Sequence, residues 1–158
     1  MWVEQAERVK CFVTGASGFI GANVVHELNA RGHDVRALLR ADCDTRGLEG
    51  ADYEPVRGDL GDRAALERAM KGCEWCFHVA ASYHLWLPDY SPMYATNVDG
   101  TCNMIEAAKT AGCSRIVHTS TVGCIGLPNS GDGPVEPTDE TTPVSDAQMS
   151  NHYKRSKW

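Results

Sequence analysis

Tyr153 and Lys157 close the run Tyr153-Lys154-Arg155-Ser156-Lys157 and stand four residues apart, so a helix would put both on one face. A phenol ordinarily ionises near pH ~10, and a neighbouring ammonium favours the phenolate, which brings proton transfer within reach of neutral pH. The second chemical signal lies near the other end of the chain. In Thr14-Gly15-Ala16-Ser17-Gly18-Phe19-Ile20-Gly21, glycines recur every third residue. Gly15, Gly18 and Gly21 allow a tight turn and close approach of the backbone to a pyrophosphate, whose charge would rest on the unpaired N–H groups that open a helix around Ser17, Phe19 and Ile20. The spacing is GxxGxxG, a looser match to the dinucleotide fingerprint than GxGxxG.

Such groups need a frame, and short apolar runs alternating with helical stretches predict an α/β fold: a doubly wound parallel sheet in the order 3-2-1-4-5. The expected strands are 9–14, 35–39, 53–56, 75–80 and 115–120. Helices are expected over 19–31, from an N-cap at Asp62 through Met70, and somewhere within 92–110. Residues 126–145 carry Pro128, Pro134, Pro137 and Pro143 and read as a long loop. A helical pattern resumes over 147–158 and brings in Tyr153 and Lys157.

In an open parallel sheet, ligands lie beyond the carboxyl ends of the strands, which predicts Asp59 and Leu60 after strand three, and Ala80 and Ala81 after strand four, as cofactor walls. The small residues at 80 and 81 leave room for a cofactor to lie close to the backbone. Asp59 has a second reading, as a turn or cap residue before the Asp62 helix. Arg40 ends strand two where a carboxylate would favour a free ribose diol, so the expected cofactor is NADP, with NAD as the alternative because Asp42 and Asp44 stand close by. Tyr83, His84 and Trp86 follow strand four and would wall a substrate mouth. His78 and His118 read as packed, hydrogen-bonded core histidines rather than acid–base groups.

Composition narrows the partners. The chain has 158 residues, 42% of them hydrophobic and 23% charged, enough for one domain that buries about 70% of its unfolded surface. Fifteen Lys and Arg against twenty-one Asp and Glu give a net charge of −6, which disfavours a nucleic-acid partner. No apolar run approaches membrane-helix length and the first residues lack a secretion signal, so a cytoplasmic location and no membrane partner are expected. Seven cysteines, an odd number, suit a reducing compartment; Cys73 and Cys76 are the one close pair, and no metal site is expected there.

The chain resembles the extended branch of the short-chain dehydrogenase/reductase superfamily. The likeness is carried by TGxxGxxG from Thr14 to Gly21, GDL at 58–60, HVAA at 78–81, NVDGT at 97–101, the Ser/Thr cluster at 119–121 and YxxSK at 153–157. Within that branch it looks most like dihydroflavonol 4-reductase-like proteins and hopanoid-associated sugar epimerase-like proteins, through HVAASYHLW, DETTP at 139–143 and HYKRSKW. The resemblance implies that Tyr153 is the general acid or base, that Lys157 lowers its pKa and holds the nicotinamide ribose, and that Thr121 hydrogen-bonds the reacting oxygen, with Ser120 as its rival. Asn97 would play a supporting or relay part in the central helix. It implies an NAD(P)-dependent oxidoreductase acting on a carbonyl or alcohol of a small-molecule substrate, the alternatives being a nucleotide-sugar epimerase or dehydratase with transiently reduced NAD, and a non-catalytic nucleotide-binding fragment. Residues 1–158 would form an incomplete dinucleotide-binding domain lacking the final strands and the substrate-binding region. The isolated chain would be inactive; for the full-length form a homodimer stays open.

Overall fold

The computed structural model describes residues 7–128 and 137–158; Pro134, within the expected loop, lies outside them. Five parallel strands form one sheet in the order β3-β2-β1-β4-β5: β1 (Lys10–Thr14), β2 (Asp34–Leu39), β3 (Glu54–Arg57), β4 (Trp75–His78) and β5 (Arg115–His118). This is the order expected from the crossovers. β1 is central, and its side chains alternate between two cores. Cys11 and Val13 face helix α1 (Phe19–Ala30) with Val25, Leu28 and Val35, while Phe12 faces α2 (Arg63–Met70) and α4 (Gly100–Ala111) with Leu66, Met70, Cys76 and Met104.

The helix boundaries follow local chemistry. Asp62 caps α2 as expected, its carboxylate accepting from Ala65 N at 2.9 Å. At the other end of α2, Arg36 reaches across from β2 and donates to the carbonyls of Ala69 (2.6 Å) and Lys71 (3.0 Å), a cation placed on the negative end of the helix.

Four expected elements differ from the structure by more than one residue. The single long helix within 92–110 is α3 (Ser91–Tyr94), a π turn over Ala95–Asp99, and then α4. The wider turn carries Asn97 inward, to 4% exposure, while Gly100 packs so closely on Leu60 that a Cβ there would stand 2.8 Å from the Leu60 Cβ. Strands four and five end at His78 and His118, two residues earlier than expected, because the backbone there turns away from the ladder. The helical pattern of 147–158 is a short 3-10 turn over Asp146–Gln148 and then α5 (His152–Lys157). Asn151 separates them, its side chain capping α5 by accepting from Lys154 N at 2.8 Å.

Candidate active site

The glycine loop joins β1 to α1 under tight steric control. Gly15 has φ +70°, and a Cβ on it would stand 2.6 Å from the backbone nitrogen of Ala80. A Cβ on Gly21 would stand 2.0 Å from the Gly15 carbonyl oxygen. The loop therefore closes on its own backbone and on the end of β4, with Gly18 N donating to Gly15 O at 3.0 Å. Ala22 N donates to Gly18 O at 2.8 Å, and among the described residues no backbone carbonyl takes the N–H groups of Phe19, Ile20 and Gly21. Phe19 and Ile20 are exposed and Gly18 provides no side-chain cap. Bare donors at the positive end of a twelve-residue helix, beside a surface where side chains are excluded, are the arrangement a pyrophosphate needs. The loop fits a dinucleotide.

Beneath the loop lies a buried polar chain. The Thr14 hydroxyl is hydrogen-bonded to His78 Nδ1 at 2.7 Å and accepts from Ala80 N at 3.3 Å, while His78 Nε2 meets the Thr101 hydroxyl at 3.0 Å. His78 is wholly buried, and burial followed by the neighbouring His118 and Lys157 pushes its pKa down to about 3, so it is neutral at physiological pH. It is a core histidine, as expected. His118 is not: it is exposed, stacks on His78 at 5.2 Å between ring centroids, and its Nε2 stands 3.4 Å from Lys157 Nζ.

Lys157 lies at the junction of α5 and the end of β5. Its ammonium donates to the Thr119 carbonyl at 2.9 Å, and partial burial lowers its pKa. Tyr153 is half-buried one turn earlier on the same helix. Thr121 is half-buried, and its hydroxyl accepts from Gly123 N at 3.2 Å, capping the 3-10 turn Val122–Cys124. The Lys154 stem packs on Gly123 and so brings that turn against α5. Ser120 is exposed. No described hydrogen bond joins Tyr153 Oη to Thr121, Ser120 or Lys157, so the structure brings together the elements that carry these groups without linking the groups directly.

Asn97 is central to the site. Its Oδ1 accepts from Ser82 N at 2.7 Å, and its Nδ2 donates to Ser82 O at 2.7 Å and to Ser156 Oγ at 2.8 Å. Neither Ser82 nor Ser156 stood out in the sequence as a site residue. Both lie inside segments that carry the resemblance, HVAASYHLW and YxxSK, but only the π turn brings them to one amide. A second tie did not stand out either: His152 stacks on Tyr90 at 3.9 Å and meets the Tyr94 hydroxyl at 3.0 Å.

The remaining expected walls are placed unevenly. Ala80 and Ala81 are half-buried, with the Ala80 backbone against Gly15. Asp59 accepts from Gly61 N at 2.8 Å, which is its turn reading, and Leu60 sits in the core under Gly100. Tyr83, Leu85 and Trp86 project from the loop after β4, each more than 70% exposed. Arg40 is exposed at the end of β2, its side chain held by none of the described hydrogen bonds or ion pairs, and Asp44 is engaged by Arg46.

Residues 11–158 match the profile of the NAD dependent epimerase/dehydratase family. A protein of Synechocystis provisionally named dihydroflavonol 4-reductase is 41% identical over 158 residues, covering 99% of this chain and 44% of its own. The crystal structure of gox2253 superposes with a TM-score of 0.85 at 43% identity, over 95% of this chain and 44% of that one. DesIV, the dTDP-glucose 4,6-dehydratase of Streptomyces venezuelae, solved with NAD and TYD bound, gives a TM-score of 0.73 at 30% identity over 94% of this chain and 48% of its own. The chain thus spans half or less of the length of the relatives it matches.

The expectation of NADP is corrected by these likenesses. DesIV holds NAD, as does the Bordetella bronchiseptica enzyme WbmH, which is 28% identical with a TM-score of 0.77. The physical reason is that NADP was inferred from a single charge. Among the described residues nothing braces the exposed Arg40 guanidinium, so its charge alone does not select a phosphate. Among the described residues no helix is long and apolar enough to cross a membrane. The strand order, the self-closed glycine loop at the end of β1 and the family profile agree: the chain belongs to the NAD dependent epimerase/dehydratase family.

Proposed function

We propose that the complete protein is an NAD-dependent enzyme of the epimerase/dehydratase type acting on a small nucleotide-linked sugar, and that residues 1–158 carry its dinucleotide-binding part together with the Tyr153–Lys157 pair. The observation that supports this most is the seating of α5, with Lys157 anchored to the Thr119 carbonyl at the carboxyl edge of the sheet, on the same edge as the glycine loop. The likeness to DesIV and WbmH supports the epimerase or dehydratase reading over the plain reductase, because the cofactor named with those enzymes is NAD. The finer likeness to hopanoid-associated sugar epimerases rests on the HVAASYHLW and HYKRSKW segments and belongs to this proposal.

In this reading the backbone of Gly15, Ser17, Gly18, Phe19, Ile20 and Gly21 holds the pyrophosphate, Ala80 and Ala81 border the nicotinamide half, and Arg40, Asp59 and Leu60 border the adenosine half. When bound, NAD supplies a hydride acceptor for the carbinol carbon of the substrate. Tyr153 takes the proton of the substrate hydroxyl. Lys157 stabilises the Tyr153 phenolate that accepts this proton, which leaves a neutral phenol, and holds the ribose, and the Thr121 hydroxyl, with Ser120 as the rival, orients the reacting oxygen. Asn97 supports the helix that carries the pair. A second reading, carbonyl reduction with release of oxidised cofactor, is favoured by the 41% identity to the Synechocystis protein.

One experiment separates the readings. The complete protein is incubated with UDP- and dTDP-hexoses and catalytic NAD, with products followed by NMR, and in parallel with NADH and a ketone panel. Sugar conversion without net NADH supports the first reading, and stoichiometric NADH consumption supports the second. Activity of neither kind with a folded, NAD-binding protein refutes both.

A further inference from the structure

Every hydrogen-bonding position of the Asn97 side-chain amide save one acceptor lone pair is spent, and it is spent on two different parts of the site. Two bonds clamp the backbone of Ser82, in the loop that continues from Ala80 and Ala81, and the third ends on Ser156, which is 4% exposed. Ser156 passes the tie on, since its hydroxyl donates to the Tyr153 carbonyl at 2.8 Å. The connection runs Ser82, Asn97, Ser156, Tyr153 through direct hydrogen bonds. Both amide protons are committed, so this side chain has no proton to pass to a substrate or to solvent.

We propose that Ser156 is a positioning residue: through Asn97 it locks the helix that carries Tyr153 and Lys157 to the loop after β4, and so fixes the distance and angle of the phenol relative to whatever that loop borders. The inference deepens the function proposed above and rests on it. A six-residue helix has little stability of its own, so its rotation is set by what grips it. Ser156 is gripped from inside and lies one residue before Lys157. A turn of the helix about its axis after loss of this bond carries the phenol away from the loop and takes the ammonium off Thr119 O, so that the two groups no longer keep their spacing.

The titratable groups around this helix are His118 from β5, Cys124 at the end of the 3-10 turn, Tyr90 and Tyr94 against His152, Asp146 paired with Arg155, and Lys154 against Gly123. None of them shares a described hydrogen bond with Asn97 or with the Ser156 hydroxyl. A change in the pH profile caused by replacing Ser156 therefore reports on the seating of Tyr153 and Lys157.

The test uses the complete protein in the alcohol-oxidising direction, where the group that takes the hydroxyl proton must be deprotonated and activity rises with pH. In Ser156→Ala, kcat is expected to fall about tenfold with KM changed less than twofold, and the rising limb to move upward by about half a pH unit or more as the ammonium leaves the phenol. Ser156→Cys fills the same volume with a poor acceptor and gives the same shift if the alanine variant does not fold. Asn97→Ala combined with Ser156→Ala should cost no more than the worse single change, because the two act through one bond. An unmoved pH profile in either folded Ser156 variant overturns the inference, as does full additivity of the pair. Tyr153→Phe is the control: full turnover in that variant refutes the functional reading and this inference with it, whereas a collapse there with a normal Ser156→Ala profile overturns the inference alone.

Discussion

Replacing Gly21 by alanine sets two known effects against each other. Gly21 is the third residue of α1, and alanine inside a helix is favoured over glycine by about 0.8–1.0 kcal/mol, less so in the first turn. Against this, the added methyl would stand 2.0 Å from the Gly15 carbonyl oxygen, well over an ångström inside ordinary contact, and that oxygen already accepts from Gly18 N. Relief requires backbone movement, since neither partner is a flexible side chain, and such overpacking costs about 1–3 kcal/mol or more. The helix gain does not offset it, so Gly21→Ala is expected to lose about 1–2 kcal/mol of stability and to lose nucleotide affinity by tenfold or more, because the displaced loop is the one that would hold the pyrophosphate. Gly112→Ala is the comparison. Its φ of +81° makes alanine strained by about 1–2 kcal/mol, but nothing stands within 4 Å, so stability should fall with NAD affinity unchanged. Urea melts and NAD calorimetry on the two variants of the complete protein separate stability from binding. Unchanged NAD affinity in Gly21→Ala would refute the reasoning that the loop's closure on Gly15 makes the site.

Tyr153→Phe keeps the ring and removes the transferable proton, so turnover should fall by about 10² to 10⁴ while calorimetric NAD affinity stays nearly constant. His78 is neutral and buried with its pKa depressed to about 3, whereas in the unfolded chain it titrates near its ordinary value; protons therefore bind the unfolded state first as pH falls below about 6.5, and stability should drop by about 2 kcal/mol between pH 7 and pH 5 in urea melts, a slope that His78→Gln should largely remove. Asp62→Ala removes the cap on Ala65 N and should cost about 1 kcal/mol in the same melts, without effect on NAD binding. Calorimetry with both dinucleotides should show NAD bound more tightly than NADP, and the reverse would restore the phosphate reading of Arg40.

The sheet was legible because its signals are local and repeated. The apolar runs and the Asp62 cap act within a few residues, and each appears in the structure where its chemistry places it. The glycine loop was legible for the same reason, although its strongest constraint, the approach of Gly15 to Ala80, spans 65 positions of sequence. What was not legible depends on tertiary partners. The π turn at Ala95–Asp99 has no propensity signal, since it exists to bring Asn97 to Ser82 and Ser156 and to fit Gly100 against Leu60. Arg40 misled because the identity of one strand-end residue does not show whether anything braces its guanidinium. His118 misled because its position in a strand-like run implies packing, while β5 leaves it exposed against Lys157.

These contrasts divide the site into two parts with different vulnerabilities. The glycine loop is held by backbone contacts within about seven residues and against one strand end, so it is damaged by added volume and tolerant of changes elsewhere. The helix α5 has only six residues and owes its place to groups from four separate segments: the side chains of Asn97 in the π turn, of Tyr90 and Tyr94 around α3 and of Asp146 in the preceding 3-10 turn, and the backbone carbonyl of Thr119 after β5. Deleting one of these ties should leave the nucleotide loop intact and still displace the phenol. The exposed Asp146–Arg155 pair is worth little by its surface position, whereas the buried Asn97–Ser156 bond leaves an unpaired amide proton when broken, at about 1–3 kcal/mol. The geometry of proton transfer is therefore governed from the buried face of α5, where its one fully buried residue lies, more than from the charged face that carries most of its hydrogen-bonding side chains.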